Sequence, residues 1–380
     1  MNDRAALDLL LEHGPLSRTR IGELTGLSKP TASQLLGRLE TAGLVRTTGT
    51  VSGGPGPNAQ LYEVDPSTGY VAALDVDPDG ITAVVADITG RHVGEHHVVA
   101  DAEGRTATLV TEAVDGALAA AGLRRADLRR TVIGTPGALD PHTGKLRYAP
   151  HLPGWHSRTL RDDLAGALGT PVVIENDVNL AAIAEQRRGA AQGCEDFVLL
   201  WADEGVGAAI VLGGNLLRGA TGGAGEVGYM PMPGAPLARG GPESTCGPDG
   251  GGGFQRLVSA PGVLGLAHIH GFHPKTVAEA LELALSTPGE GDAVLDELAH
   301  RLATGLAAVI AVVDPELVVL SGSVPQAGGE RLRALVEAEL TGLALPLPRL
   351  RMSAVEGSPI LIGALQSALA DARDAVFDTS

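Results

Sequence analysis

The stretch Glu175-Asn176-Asp177-Val178-Asn179 places an amide and a carboxylate where a β-branched run, Val172-Val173-Ile174, gives way to a helical pattern. Groups at such a junction commonly face a crevice. A carboxylate there can accept two hydroxyl hydrogen bonds, or take a hydroxyl proton as a general base. The same residues also have a purely local use, with Asn176 and Asp177 capping the helix that follows. A second set of polar residues lies near the N-terminus. Lys29, Thr31, Ser33, Gln34 and Arg38 interleave with Ala32, Leu35, Leu36 and Leu39, and Ser28 precedes them. Their face is hydrogen-bonding and carries no apolar stripe, as the major groove of DNA requires.

The elements that must position these groups follow from periodicity and punctuation. Residues 2–13 predict a helix with Ala6, Leu9, Leu10 and His13 inward, stopped by Gly14-Pro15. A short helix with Ile21 and Leu24 inward then closes at Gly26. A third helix begins with Ser28 as N-cap and Pro30 in its first turn, where the missing N–H costs little. Residues 44–50 and 58–64 are β-like and flank a turn-rich tip. Three short helices and a terminal hairpin describe a winged helix-turn-helix over residues 1–65, with the third helix in the major groove. A helical hairpin used only for protein contacts is the alternative. The tip, Gly54-Pro55-Gly56-Pro57, holds no arginine for the minor groove, and Asn58 beside it is counted with the DNA-facing residues.

Beyond residue 70 short β-rich runs alternate with helical stretches, implying layered α/β architecture. The chain has 380 residues, 44% of them hydrophobic, so two or three domains with substantial cores are expected. The net charge of −17 sits almost wholly in the body: residues 1–65 hold six basic and seven acidic residues and are close to neutral. An acidic body repels DNA except where the front module presents itself, and a near-neutral module relies on dimeric avidity and hydrogen-bonded readout. The longest apolar runs fall short of a membrane span, and the N-terminus has no basic leader segment. Cys194 and Cys246 are the only cysteines, and they suggest no disulfide framework. A cytoplasmic protein is expected.

Six segments in order carry a family resemblance: GTPGALD, YAPHLPGW, PVVIENDVNLAAIAE, GGNLLRGATGGAGEVGYMPM, a lone Cys-Gly, and DPELVVLSGSV. Together with GELTGLSKPTASQLLGRLETAGLV in front, nearly the whole chain resembles a transcriptional regulator of the ROK (repressor, ORF, kinase) family. The resemblance implies an actin-like (ribonuclease H-like) body of two α/β lobes with a sugar cleft between them. The small lobe spans 66–180, completed by the C-terminal helix 358–380, and the large lobe spans 181–357.

The resemblance also says what each part of the cleft should do. Asp177 matches the family's general base but is assigned to ligand binding, with no catalytic residue expected. Glu226 matches a sugar-contacting glutamate and Gly137 a close backbone approach to the ligand. His151 stands where asparagine is usual. The first phosphate loop of the kinases is replaced by Asp75-Val76-Asp77-Pro78-Asp79-Gly80, and the second by Asp203-Glu204-Gly205-Val206-Gly207. Carboxylates beside phosphate charges cost about 4 kcal/mol per pair at an effective dielectric of 20. The family's structural zinc needs four ligands; Tyr229 and Ser244 replace two of them and only Cys246 survives, so no metal or cofactor is expected. Tyr229 is grouped with the ligand-binding residues. The glycine-rich run is expected to make 240–254 mobile.

The resulting expectation is a sugar-responsive repressor of carbohydrate-metabolism genes, a homodimer or higher homo-oligomer, with operator DNA and a sugar or sugar derivative as partners. A ROK-type hexokinase carrying a DNA-binding domain is the alternative from the enzyme class. A constitutive DNA-binding scaffold with a dead cleft is the third reading.

Overall fold

The computed structural model describes residues 2–51, 59–100, 106–147, 152, 154–238, 252–344 and 346–377. The wing tip with Asn58, His151, and the segment holding Ser244, Cys246 and most of the glycine run lie outside these residues.

The N-terminal head comprises α1 (Asn2–His13), β1 (Leu16–Ser17), α2 (Arg18–Thr25), α3 (Lys29–Thr41), β2 (Val45–Val51) and β3 (Ala59–Val64). Its helix ends follow local chemistry. Ser17 and Ser28 cap α2 and α3, and Gly26 ends α2 at φ +70°, a conformation glycine adopts without strain. The buried face of α3 is Ala32, Leu35, Leu36 and Leu39. Two expectations are corrected. The buried side of α1 is Ala6, Leu7 and Leu10 rather than a stripe through Leu9 and His13, and Leu24 is 37% exposed. The cause is that α1 meets α3, β3 and a C-terminal helix of the body together, which turns its inward face.

The body is built from two sheets of one topology. The first contains β4 (Tyr70–Val76), β5 (Gly80–Asp87), β6 (His92–Val99), β7 (Leu128–Thr135) and β10 (Val172–Asn176), in the order β10-β7-β4-β5-β6. A small ribbon, β8 (Ala138–Leu139) with β9 (Leu146–Arg147), follows β7. Helices α4 (Thr106–Ala120) and α5 (Leu160–Leu168) cover one face of this sheet. The second sheet contains β11 (Phe197–Ala202), β12 (Val206–Leu212), β13 (Asn215–Leu216), β14 (Leu317–Ser321) and β15 (Arg349–Met352), in the order β13-β12-β11-β14-β15. In both, an antiparallel three-strand meander continues into two parallel strands.

Helices α7 (Gln255–Val258), α8 (Ala260–Ile269), α9 (Val277–Ser286), α10 (Glu290–Val313) and α11 (Ser323–Leu343) build the large-lobe core with the second sheet. Helix α6 (Asp177–Arg188) lies between the lobes. Val178, Ala181 and Ala182 pack on the second sheet, and Leu180 packs with α12 (Pro359–Phe377) against the first. Glu185, fully buried, fastens the far end of α6. Its carboxylate accepts hydrogen bonds from the Ala190 and Ala354 N–H groups and the Ser353 hydroxyl. Truncating it to alanine leaves those donors buried and unpaired; a loss of about 3–5 kcal/mol, read by denaturant unfolding, is expected. No helix among the described residues is long and apolar enough to cross a membrane.

Candidate functional site

Strand β10 and helix α6 meet at the residues singled out from the sequence. Asn176 is the N-cap of α6: its Oδ1 accepts the Asn179 N–H at 3.0 Å, and its Nδ2 donates to the Gly137 carbonyl at 2.9 Å. The capping use of Asn176 is thus real, and it also fixes the loop holding Gly137, whose φ of +83° calls for glycine. Asp177 opens the helix, with Oδ1 accepting the Val178 N–H at 2.7 Å. Its half-buried carboxyl is pushed up to about 7, first by removal from water and then by the charges of Asp75 and Asp203. Glu226 is likewise held at about 7, by burial and by the charge of Asp177.

Asp75, at the end of β4, is held at about 6 by burial and by Asp77, against the opposing hydrogen bond from Ser358. These mutual effects bring Asp75, Asp177 and Glu226 around one crevice, with the Asp203 charge also felt at Asp177, and no cation stands among the causes that set the three raised values. Gly137 joins them through Asn176. Tyr229 follows Glu226 on a short turn, its N–H donating to the Glu226 carbonyl at 3.3 Å.

Of the two turns corresponding to phosphate loops, the first is satisfied internally. Asp77 Oδ1 accepts the N–H groups of Asp79 at 2.8 Å and Gly80 at 2.9 Å, the Asp77 N–H donates to the Gly80 carbonyl, and Pro78 has no N–H. No backbone donor of residues 77–80 is left for a phosphate. In the second turn Asp203 accepts the Glu204 N–H at 3.0 Å, the Ser323 hydroxyl at 2.7 Å and, more weakly, the Ser323 N–H at 3.4 Å. A carboxylate therefore occupies the start of α11, the kind of helix end where an anion binds. At the first zinc-ligand position of the family the chain has Tyr229, and the other positions, Ser244 and Cys246 among them, lie outside the described residues.

In the head, Lys29, Thr31, Gln34 and Arg38 are exposed along α3. Several have neighbours. The Ser28 hydroxyl caps the Thr31 N–H and lies 2.8 Å from the Thr31 hydroxyl, and Ser33 accepts from Arg18 at 3.3 Å. Arg38, in the last turn, donates to Asp3 at 2.7 Å. Lys29 and Gln34 carry no such tie among the hydrogen bonds and ion pairs of the described residues. Gln34→Ala should weaken operator binding by roughly 1–3 kcal/mol, about a fivefold to hundredfold loss in a gel shift, with a smaller effect for Arg38→Ala because its pair with Asp3 must first break. The position of Arg18, whose guanidinium lies 5.5 Å over the Tyr62 ring, was not evident from the sequence.

Two surface hollows lie away from the crevice. One, of about 480 Å³, is lined by Ile269, His300 and Arg301; the other, of about 420 Å³, lies between head and body beside Leu10, Arg46 and Arg91. Most of their charged groups are already paired, His300 with Glu339, Arg301 with Glu297, Arg46 with Glu63 and Arg91 with Asp87.

The ROK family model matches residues 71–366 and the MarR family model residues 3–54. A glucokinase of Halalkalibacterium halodurans is 29% identical over 292 residues, covering 72% of this chain and 86% of that protein. The xylose repressor of Bacillus subtilis is 25% identical over 249 residues, covering 65% and 63%. Among solved structures, the ROK hexokinase from Thermus thermophilus is 30% identical with a TM-score of 0.67, covering 80% of this chain and 99% of that one. A ROK family transcriptional regulator, a homologue of the E. coli MLC protein, has a TM-score of 0.74 and covers 99% and 98%. At 20% identity it bears on the fold alone, head included. Two lobes of one topology, a crevice at the β10–α6 junction and a MarR-type winged helix in front converge with these matches: the chain belongs to the ROK family.

Proposed function

We propose that this protein is a DNA-binding transcriptional repressor whose operator affinity is set by an unphosphorylated sugar bound at Asp177 and Glu226. The observation that carries the reading is the contrast between two halves of one crevice. On one side Asp177 and Glu226 offer carboxyl oxygens to sugar hydroxyls, with only Asp177 Oδ1 engaged among the described hydrogen bonds. On the other, Asp77 takes the N–H groups of Asp79 and Gly80, and Asp203 takes those of Glu204 and Ser323. A polar head with an exposed Gln34 and Lys29 supports DNA reading, and relatives named as repressors share the family.

The same electrostatics bear on the ligand. A phosphate on the hydroxyl held by Asp177 would enter a group of carboxylates with no cation acting on them, so a neutral sugar suits the crevice better. Thermal melting tests this directly. D-Glucose, D-xylose or N-acetylglucosamine should raise the melting temperature, by the equivalent of about 2.7 kcal/mol at 100 times Kd, and their phosphates should not. Failure of every unphosphorylated sugar, with a shift from a sugar phosphate, would reverse the assignment. A ligand need favour one lobe arrangement by only about 10⁴-fold to swing a 1:99 equilibrium fully.

A second reading, sugar phosphorylation, is favoured by one observation. A carboxyl near 7 at Asp177 is well placed for a general base at neutral pH. An assay coupled to ADP release across hexoses and pentoses separates the two, since ordinary turnover would establish the kinase and leave the repressor reading without its basis.

A further inference from the structure

The loop that carries Glu226 is tied to both lobes. It leaves β13 on the large lobe and is closed on itself by the Ala224 N–H donating to the Arg218 carbonyl at 3.2 Å. Near its end the Ala208 N–H of β12 donates to the Gly225 carbonyl at 2.8 Å, and a Cβ on Gly225 would run into the Ala208 carbonyl. In its middle Gly222, at φ +81°, presses on the small lobe, where a Cβ would stand 2.6 Å from the Leu139 carbonyl oxygen. At its start the Arg218 Nε donates to Glu175 Oε2 at 2.7 Å. Glu175 is on β10, the edge strand of the small-lobe sheet, so this ion pair crosses the crevice.

The pair is held more firmly on one side than the other. The Glu175 side chain is 11% exposed, and its second oxygen accepts from the Asn176 N–H at 3.0 Å and Asn179 Nδ2 at 2.9 Å. Glu175 is thus fixed to the turn that presents Asp177. Arg218 is 56% exposed and its side chain makes no other ion pair or hydrogen bond among the described residues. An exposed ion pair is worth little to global stability. Its effect falls instead on which way the loop leans, and Glu226 sits at the end of that loop.

We propose that Arg218 and Glu175 are positioning residues, a latch across the crevice that sets Glu226 opposite Asp177 and holds the loop in its sugar-binding arrangement. The role rests on the reading of this crevice as a sugar site. It differs from that reading in naming residues that need touch no sugar.

The test uses the full-length protein with two readouts. Amide hydrogen exchange without ligand reports the latch itself: Arg218→Ala should speed exchange across 217–226 at least tenfold while the melting temperature barely moves. Glu175→Gln keeps an oxygen for the Asn176 and Asn179 bonds and removes the charge, and should do the same. Binding of D-glucose and D-xylose, measured by calorimetry, should weaken about tenfold in each single variant. The double variant should be no weaker than the worse single one, and Arg218→Lys should recover part of the loss. Unchanged exchange in Arg218→Ala overturns the latch whatever the sugars do. Sugar binding indifferent to Arg218→Ala overturns its positioning role while leaving the sugar site standing. If none of D-glucose, D-xylose and N-acetylglucosamine binds the parent protein, the sugar reading of the crevice fails, and the role given to the latch fails with it.

Discussion

Asp177→Asn is expected to move the response to sugar to about ten- to a hundredfold higher concentrations while making the protein more stable at neutral pH. The asparagine oxygen still accepts the Val178 N–H, so the helix start survives. What disappears is a carboxylate set among Asp75, Asp203 and Glu226 and drawn out of water. Relief of that repulsion should raise the melting temperature at pH 7.5 by about 2–4 °C per kcal/mol regained. Loss of a charged acceptor for sugar hydroxyls costs roughly 1.5–3 kcal/mol of binding, a fall of ten- to a hundredfold. Operator binding without sugar should be unaffected. A lower melting temperature together with a normal sugar response would show that Asp177 is a structural residue.

The pH dependence follows from the same groups, and its sign is definite. Asp75, Asp177 and Glu226 all hold their protons to higher pH in the folded chain than an unfolded carboxyl does. Between about pH 4 and pH 7 the folded state therefore binds more protons than the unfolded one, and their contribution to stability falls as pH rises. That contribution is fully present below about pH 4 and is gone above the folded pKa near 7. Asp140 and Glu330 are shifted down and act in the opposite direction. The clean measurement is thus the difference between parent and Asp177→Asn melting curves, which should widen from pH 5 to pH 7.5. Sugar hydroxyls donating to Asp177 favour its ionised form, so binding near pH 7 should release protons, visible as a dependence of calorimetric heat on the buffer.

What could be read from the sequence was whatever depends on neighbours in sequence. The strand-to-helix junction at Asn176-Asp177, the α3 face and the caps at Ser28 and Gly26 each rest on periodicity or on a residue's own backbone preference. The acids replacing the phosphate loops were visible, but not that Asp203 bonds Ser323, 120 residues further on. Glu175 belongs to the same motif as Asp177, but nothing near it in sequence marks its role, because its partner, Arg218, lies 43 residues away on the other lobe. Arg38 was grouped with the base-reading residues because helical periodicity turns it outward; its ion pair with Asp3 crosses from another helix and leaves no mark in a single sequence. The inward face of α1 was misjudged for a similar reason, since one of its partners is 370 residues distant.

That distant partner leads to the second large effect: Phe377→Ala should leave the crevice able to bind sugar while disconnecting it from DNA. Helix α12 has 19 residues and spans about 28 Å. At its start the Ser358 hydroxyl caps the Leu361 N–H and donates to Asp75, one of the crevice carboxyls, at 3.2 Å. About one turn on, Gly363 touches the backbone of α6, where any Cβ would fall on the Leu180 carbonyl. At its end Asp374 pairs with Arg4 of α1 at 2.7 Å, and the Arg4 guanidinium lies 5.6 Å over the Phe377 ring, which is 2% exposed. The head and this helix share one hydrophobic cluster, so the head is docked on α12 rather than strung from a linker.

A rod touching a crevice carboxyl at one end and α1 of the winged-helix head at the other can pass a small tilt from one to the other. Removing the Phe377 ring costs roughly 3–5 kcal/mol of packing and should free the head to sample positions unrelated to the lobes. The expected result is a sugar-induced melting shift of normal size beside operator binding that no longer changes with sugar. Phe377→Leu, which keeps most of the volume, should retain part of the response, and Arg4→Ala should weaken it with little loss of stability because that pair is exposed. A full sugar response in Phe377→Ala would mean that the signal leaves the crevice by another path. Gly363→Val acts on the same rod at its crossing with α6; with no space for two methyl groups there, it should destabilise the body and distort the crevice together, and the two variants therefore separate transmission from binding.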